Sequence, residues 1–180
     1  MRHLILLASL SFLPSLAFGQ RLLSFGVKGG VPLTDALSGS VSKNYVIGPM
    51  VELKLPLGFA IEADALYRPL NLTLAGPFVR TSQDIGSAEF PILAKYHFLH
   101  TPIVKPYAEA GPIFRHVGSD ASYLSSGGFA LGGGIDFKLL LVRISPELRF
   151  SRWGGDSTSR IAGFPSSNRN QAEFLVGLSF

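Results

Sequence analysis

The chain has 180 residues, enough for one domain, with 16% charged residues, 20 glycines and a mean hydropathy of +0.32, values that suit neither a disordered chain nor an ordinary secreted enzyme. Its formal charge of +4 is weak and dispersed, which argues against a nucleic-acid partner. The sequence contains no cysteine, so disulfides, a thiol nucleophile and a lipoprotein attachment site are excluded. The first element is a leader. Met1, Arg2 and His3 precede an apolar run over 4–13, followed by Pro14, Ser15, Leu16 and the small-residue pattern Ala17-Phe18-Gly19. A basic start, a short apolar core and small residues at the cleavage positions describe a secretory signal peptide over 1–19, with 20–180 as one exported domain. The apolar run is too short to cross a bilayer as a helix.

Eight segments with strand patterning follow. Segment 23–31 places Phe25, Val27 and Val31 opposite Ser24, Gly26, Lys28 and Gly30, and segment 45–55 sets Ile47, Val51, Leu53 and Leu55 against Gly48, Glu52 and Lys54. A tight Pro56-Leu57-Gly58 turn leads to 59–68, where Phe59, Ile61 and Tyr67 oppose Glu62, Asp64 and Arg68. Segment 87–98 opposes Phe90, Ile92, Tyr96 and Phe98 to Glu89, Lys95 and His97. Segment 104–116 opposes Ala108, Ala110 and Phe114 to Lys105, Glu109 and Arg115. Segments 128–138 and 141–152 carry Asp136, Lys138, Arg143, Glu147 and Arg149 on their polar faces. The last segment, 171–180, has Glu173 on one face and Phe174, Val176, Leu178 and Phe180 on the other.

The connections alternate in length. Those over 32–44, 69–86, 117–127 and 153–169 are long and rich in small polar residues, whereas 56–58, 99–103 and 139–140 are short. That rhythm predicts an up-and-down antiparallel meander with elaborate loops at one end and tight turns at the other. The apolar residues Leu70, Leu72 and Leu74 in the second long connection suggest strands that project past the membrane.

Charge indicates which face is inside. All six Glu (52, 62, 89, 109, 147 and 173), with Asp64 and Asp136, lie on polar strand faces, as do nine bases: Lys28, Lys54, Arg68, Lys95, Lys105, Arg115, Lys138, Arg143 and Arg149. Eight acids against nine bases approach the neutrality that a closed interior requires. Glycines 26, 30, 48, 111, 132, 134 and 177 share that face, as a narrow lumen crowded with long side chains would demand. Ten residues at about 3.3 Å each, tilted near 45°, cover roughly 23 Å, close to the apolar band of an outer-membrane barrel. Prolines at 49, 91, 106, 112 and 146 lie inside the segments, where a ladder lacks a donor. Bulges would accommodate some of them, each shifting the parity beyond it, and the sequence offers no account of all five.

With leader, eight alternating segments and a terminal Phe in place, the chain resembles the small bacterial outer-membrane β-barrel family of the OmpA/OmpX or PorT type. The segment Lys105-Pro106-Tyr107-Ala108-Glu109-Ala110-Gly111-Pro112 is similar to a strand common in such barrels. The resemblance implies an all-β fold, an eight-stranded antiparallel up-and-down transmembrane β-barrel in a Gram-negative outer membrane. It also implies that Phe174, Val176, Leu178 and Phe180 form the strand read by the barrel-insertion machinery. Outer-membrane lipid and lipopolysaccharide are the implied surroundings.

The expected role is non-enzymatic: a structural or surface-interaction protein whose lumen is plugged by paired charges, with the long loops as interaction surface for an unknown extracellular partner. The alternative is a porin-like narrow channel or carrier for small or hydrophobic solutes. The lumen set is Glu52, Glu62, Asp64, Arg68, Glu89, Lys95, Glu109, Arg115, Asp136, Lys138, Arg143, Glu147, Arg149 and Glu173. Arg152, Arg160 and Arg169, near one rim, are candidates for lipid-phosphate contacts. His116, Ser119 and Asp120 lie close in sequence, but no G-x-S-x-G, H-E-x-x-H or P-loop accompanies them, and neither catalysis, cofactor nor metal is expected. His97 reads as a hydrogen-bonded lumen residue.

Overall fold

The computed structural model describes residues 22–34, 45–75, 80–99, 101–117, 125–155 and 168–180, with side chains described outside 70–75 and 80–85. The alternating segments form strands β1 (Leu23–Pro32), β2 (Val46–Lys54), β3 (Phe59–Asp64), β4 (Leu66–Ala75), β5 (Arg80–His97), β6 (Val104–Val117), β7 (Gly127–Leu139), β8 (Val142–Trp153) and β9 (Asn170–Ser179). Every pairing is antiparallel, and β1 pairs with both β2 and β9, so the sheet closes on itself without an edge. Strands β3 and β4 are halves of one stave interrupted at Ala65, both lying between β2 and β5. The barrel therefore has eight staves. The connection expected over 69–86 is largely hairpin: β4 and β5 stay paired from Pro69↔Gly86 to Ala75↔Arg80. The alternating Leu-Asn-Leu-Thr-Leu sequence over 70–74 carries the strand period beyond Arg68.

The prolines do not produce bulges. Pairs Met50↔Asp64 and Ile47↔Tyr67 share one register on either side of Pro49, and Pro91↔Ile113 and Ala94↔Ala110 share one on either side of Pro112. The same holds around Pro146, between Gly134↔Glu147 and Phe137↔Ile144. Each proline interrupts the ladder locally instead of inserting a residue, so the inside–outside parity survives along the described strands. Pro106 sits at a strand end, where its carbonyl accepts from Phe98 N–H.

Two of these sites share a device, a glycine immediately before the proline. Ala65 N–H donates to Pro49 O at 3.0 Å, but Pro49 cannot return a bond to the Ala65 carbonyl. That carbonyl leans over Gly48, where a Cβ would stand only 1.8 Å away; at Gly111, beside Pro112, a Cβ would stand 2.1 Å from the Ile92 carbonyl. The glycines are needed for this close backbone approach as well as for lumen room. Gly48→Ala is expected to destabilise the barrel by about 1–3 kcal/mol, measurable as a lowered midpoint of urea unfolding in lipid vesicles.

Outward positions carry the apolar residues. Phe25, Ile47, Ile61, Ile92, Leu131 and Leu148 are all exposed, and Phe59, Tyr96 and Phe98 stack with ring centroids 4.9 and 5.4 Å apart. An apolar wall over most of a barrel is stable against lipid and unstable against water.

Candidate functional site

Inward positions are buried and mostly charged. Nearest the short turns, Arg143 Nη1 lies 2.6 Å from Glu52 and 3.2 Å from Asp136, while its Nε donates to Ser179 Oγ at 2.9 Å. Ser145 Oγ donates to Asp136 at 2.6 Å. His97 sits 3.0 Å from Asp136 and 3.2 Å from the Gly58 carbonyl.

The middle of the lumen is a single network. Lys28 pairs with Glu62, lies 2.9 Å from Glu147 and 3.4 Å from Asp64. Lys95 lies 2.5 Å from Glu62, 3.6 Å from Glu52 and 3.7 Å from Glu109. Arg149 reaches Asp64 at 3.0 Å, Glu109 at 3.2 Å and Glu147 at 2.8 Å. Tyr107 OH donates to Glu147 at 3.0 Å, and Lys95 Nζ stands 4.1 Å from the Tyr107 ring centroid. These partners come from strands far apart in sequence, so the network ties opposite walls together. Glu62, Glu109 and Glu147 have carboxylate oxygens within 4.8 Å of one another, but Lys28, Lys95 and Arg149 already lie among them as counter-charges.

Towards the long loops a second tier forms. Arg68 pairs with Glu89 at 3.1 Å and with Glu173. Arg115 pairs with Glu89 at 3.1 Å, donates to Gln171 at 3.2 Å and stacks 3.6 Å from the Trp153 ring centroid.

Two buried apolar clusters, a partial belt beside the upper tier, were missed by pattern reading. Leu93, Ile113, Ala130 and Trp153 form one buried cluster, and Val46, Leu66 and Leu175 another. Leu66 follows Asp64 and precedes Arg68 on the inward face, and Leu93 and Ile113 hold equivalent places between Lys95 and Glu89 and between Glu109 and Arg115. Alternation assigns a face by its majority, so isolated apolar residues on a polar face carry no signal until the barrel closes around them.

Thirteen of the fourteen lumen candidates, all but Lys138, enter these tiers. Lys138 is corrected: it has inward parity but is exposed at the short-turn rim, with no ion pair among the described residues. Lys54 and Lys105 are only half-buried at the same end. Among the described residues the interior thus holds eight buried acids (Glu52, Glu62, Asp64, Glu89, Glu109, Asp136, Glu147, Glu173) against five buried bases (Lys28, Arg68, Lys95, Arg115, Arg149) and Arg143, whose side chain is 12% exposed. The near-neutral count obtained from strand faces does not hold for the interior. Lys28, fully buried at the network's centre, belongs to the site although the candidate set omitted it.

Of the rim arginines, Arg152 is exposed on the outer face and Arg169 is exposed with Nε 3.4 Å from the Trp153 carbonyl; Arg160 lies outside the described residues, as do His100, Ser119 and Asp120. His116 is exposed. Phe174, Leu178 and Phe180 face outward and are exposed, and Val176 is half-buried on the same face.

No protein-family description and no curated protein matches the sequence. Solved structures do. Neisserial surface protein A superposes with a TM-score of 0.62 at 13% identity, covering 87% of this chain and 94% of that one. The fold is that of a small outer-membrane β-barrel. The barrel is also similar to the outer membrane protein OprG from Pseudomonas aeruginosa, with a TM-score of 0.53 at 14% identity over 87% and 92% of the two chains. A major outer membrane protein from Thermus thermophilus gives 0.54 at 11% identity over 89% and 99%. Its apolar outer wall matches the membrane-spanning fold of these structures.

Proposed function

We propose that this protein is a non-enzymatic outer-membrane barrel with a structural or surface-interaction role, its lumen closed to solutes and its long-loop end serving as the contact surface. The observation that supports this is the filled lumen: two tiers of cross-wall ion pairs with buried apolar clusters beside them. An eight-stranded barrel has an interior just wide enough for its own side chains. The likeness to a protein called a surface protein accords with a surface role. The outward, exposed apolar face of β9 suits recognition by the insertion machinery, and Arg152 and Arg169 at the long-loop rim suit contact with lipopolysaccharide phosphates.

Single-channel recording in planar bilayers tests the closed lumen. The expected result is no stepwise conductance from the folded protein. A steady conductance whose size or ion selectivity changes in Glu62→Gln or Arg143→Gln would establish the narrow-channel reading instead.

A further inference from the structure

The lysines displaced from the interior share the short-turn end with the most exposed leucines of the described chain. Leu57, Leu140 and Leu141 are 82%, 95% and 83% exposed, and Leu99 and Ile103 stand out from the short connection over 99–103. Leu57 and Leu140 also adopt left-handed backbone, with φ of 64° and 52°, where glycine or asparagine is the ordinary choice in a tight turn. A bulky apolar residue placed there, packed against nothing in its own chain, is unfavourable in water on both counts.

We propose that the short-turn end binds anionic phospholipid, its turn leucines seated in the acyl layer of the adjoining leaflet and Lys54, Lys105 and Lys138 holding the headgroup phosphates. The proposal rests on the reading of the chain as a membrane barrel. Three observations select lipid as the occupant. The leucines continue the lipid-facing wall without a polar break: Leu55 and Phe59 flank Leu57, and Leu139 and Val142 flank the Leu140-Leu141 tip, all exposed on the outer face. The turn residues 22–23, 55–59, 98–99, 101–104 and 139–142 at this end contain no Asp or Glu. Neither Lys105 nor Lys138 has an ion-pair partner among the described residues, and Lys54 donates only to Ser24 Oγ, at 3.1 Å. Lysine stems lie along apolar surface while the ammonium groups reach the interface, and each basic residue near an anionic leaflet adds attraction. A water-facing rim would favour polar turn tips, and a partner protein would leave unexplained why the apolar surface joins the lipid wall.

The absence of cysteine makes the test direct. Leu57→Cys and Leu140→Cys each carry an environment-sensitive fluorophore and are reconstituted in phosphatidylcholine vesicles containing phosphatidylglycerol. Gly155→Cys reports from the long-loop end. Heat-dependent gel mobility first establishes that each variant is an inserted barrel; failure at that step overturns the barrel reading itself. The proposal expects blue-shifted emission and quenching by acyl-chain nitroxides at both turns and not at Gly155→Cys. It also expects a several-fold preference for spin-labelled phosphatidylglycerol over phosphatidylcholine that disappears in the K54Q/K105Q/K138Q variant. Turn fluorophores as water-exposed as the Gly155→Cys control, whether or not periplasmic extract later shields them, would overturn it, as would a lipid preference unchanged by removing the three lysines.

Discussion

Replacing Arg149 with methionine is expected to destabilise the folded barrel by about 3–5 kcal/mol, because it removes one partner of a buried charge network and leaves the others uncompensated. Arg149 is 2% exposed and holds Asp64 at 3.0 Å, Glu109 at 3.2 Å and Glu147 at 2.8 Å. Methionine keeps much of the volume, so the loss reports electrostatics more than packing. The interior already has two more acids than bases, and the substitution widens that excess to three. Urea unfolding in vesicles, followed by gel mobility, measures the effect; a loss under about 1 kcal/mol would mean that the carboxylates reach water or neutralise one another. Lys138→Met, at the exposed rim, is the control and should stay within about 0.5 kcal/mol. Adding Glu109→Gln to Arg149→Met should recover part of the loss, since the two residues are coupled.

Trp153→Ala carries an expected cost of similar size, about 3–5 kcal/mol, through a different cause, the loss of a large buried side chain and the cavity left behind. Trp153 is 1% exposed and packs with Leu93, Ile113 and Ala130, while the Arg115 guanidinium lies over its ring at 3.6 Å. Truncation therefore empties one side of the apolar belt and removes the surface on which an upper-tier cation rests. Trp153→Phe retains an aromatic face and should cost markedly less. As the chain has one tryptophan, wild-type unfolding can be followed by its fluorescence, and the variants by gel mobility. A Trp153→Ala barrel as stable as the wild type would show that the belt is not a packed layer.

The inward direction of Arg149 and its partners was legible in the sequence, although their neighbours were not; Trp153 fell in a long connection and gave no such signal. Period-two alternation is a local property, so it placed Asp64, Glu109 and Arg149 on one face, correctly, without indicating that they meet across the lumen. The same alternation continued through Pro49, Pro112 and Pro146, where a bulge would have shifted it. The Gly-Pro pairs at 48–49 and 111–112 contain a signal for this: an uncompensated carbonyl needs space, and glycine beside the proline provides it. Lys138 illustrates the opposite case. Its face was right and its environment wrong, because height along the barrel depends on where neighbouring strands end.

Alternation over eight staves, the choice of apolar face and the placing of charge on the other face all follow from the order of residues alone. They rest on short-range periodicity and turn chemistry, which hold before any tertiary contact forms. Barrel closure was needed to set which acid meets which base, to gather leucines and Trp153 into buried clusters, and to leave three lysines outside the buried network. Those facts depend on register between strands distant in sequence and on the narrow interior their closure creates. Partner choice and burial are properties of that shared space and of no single segment.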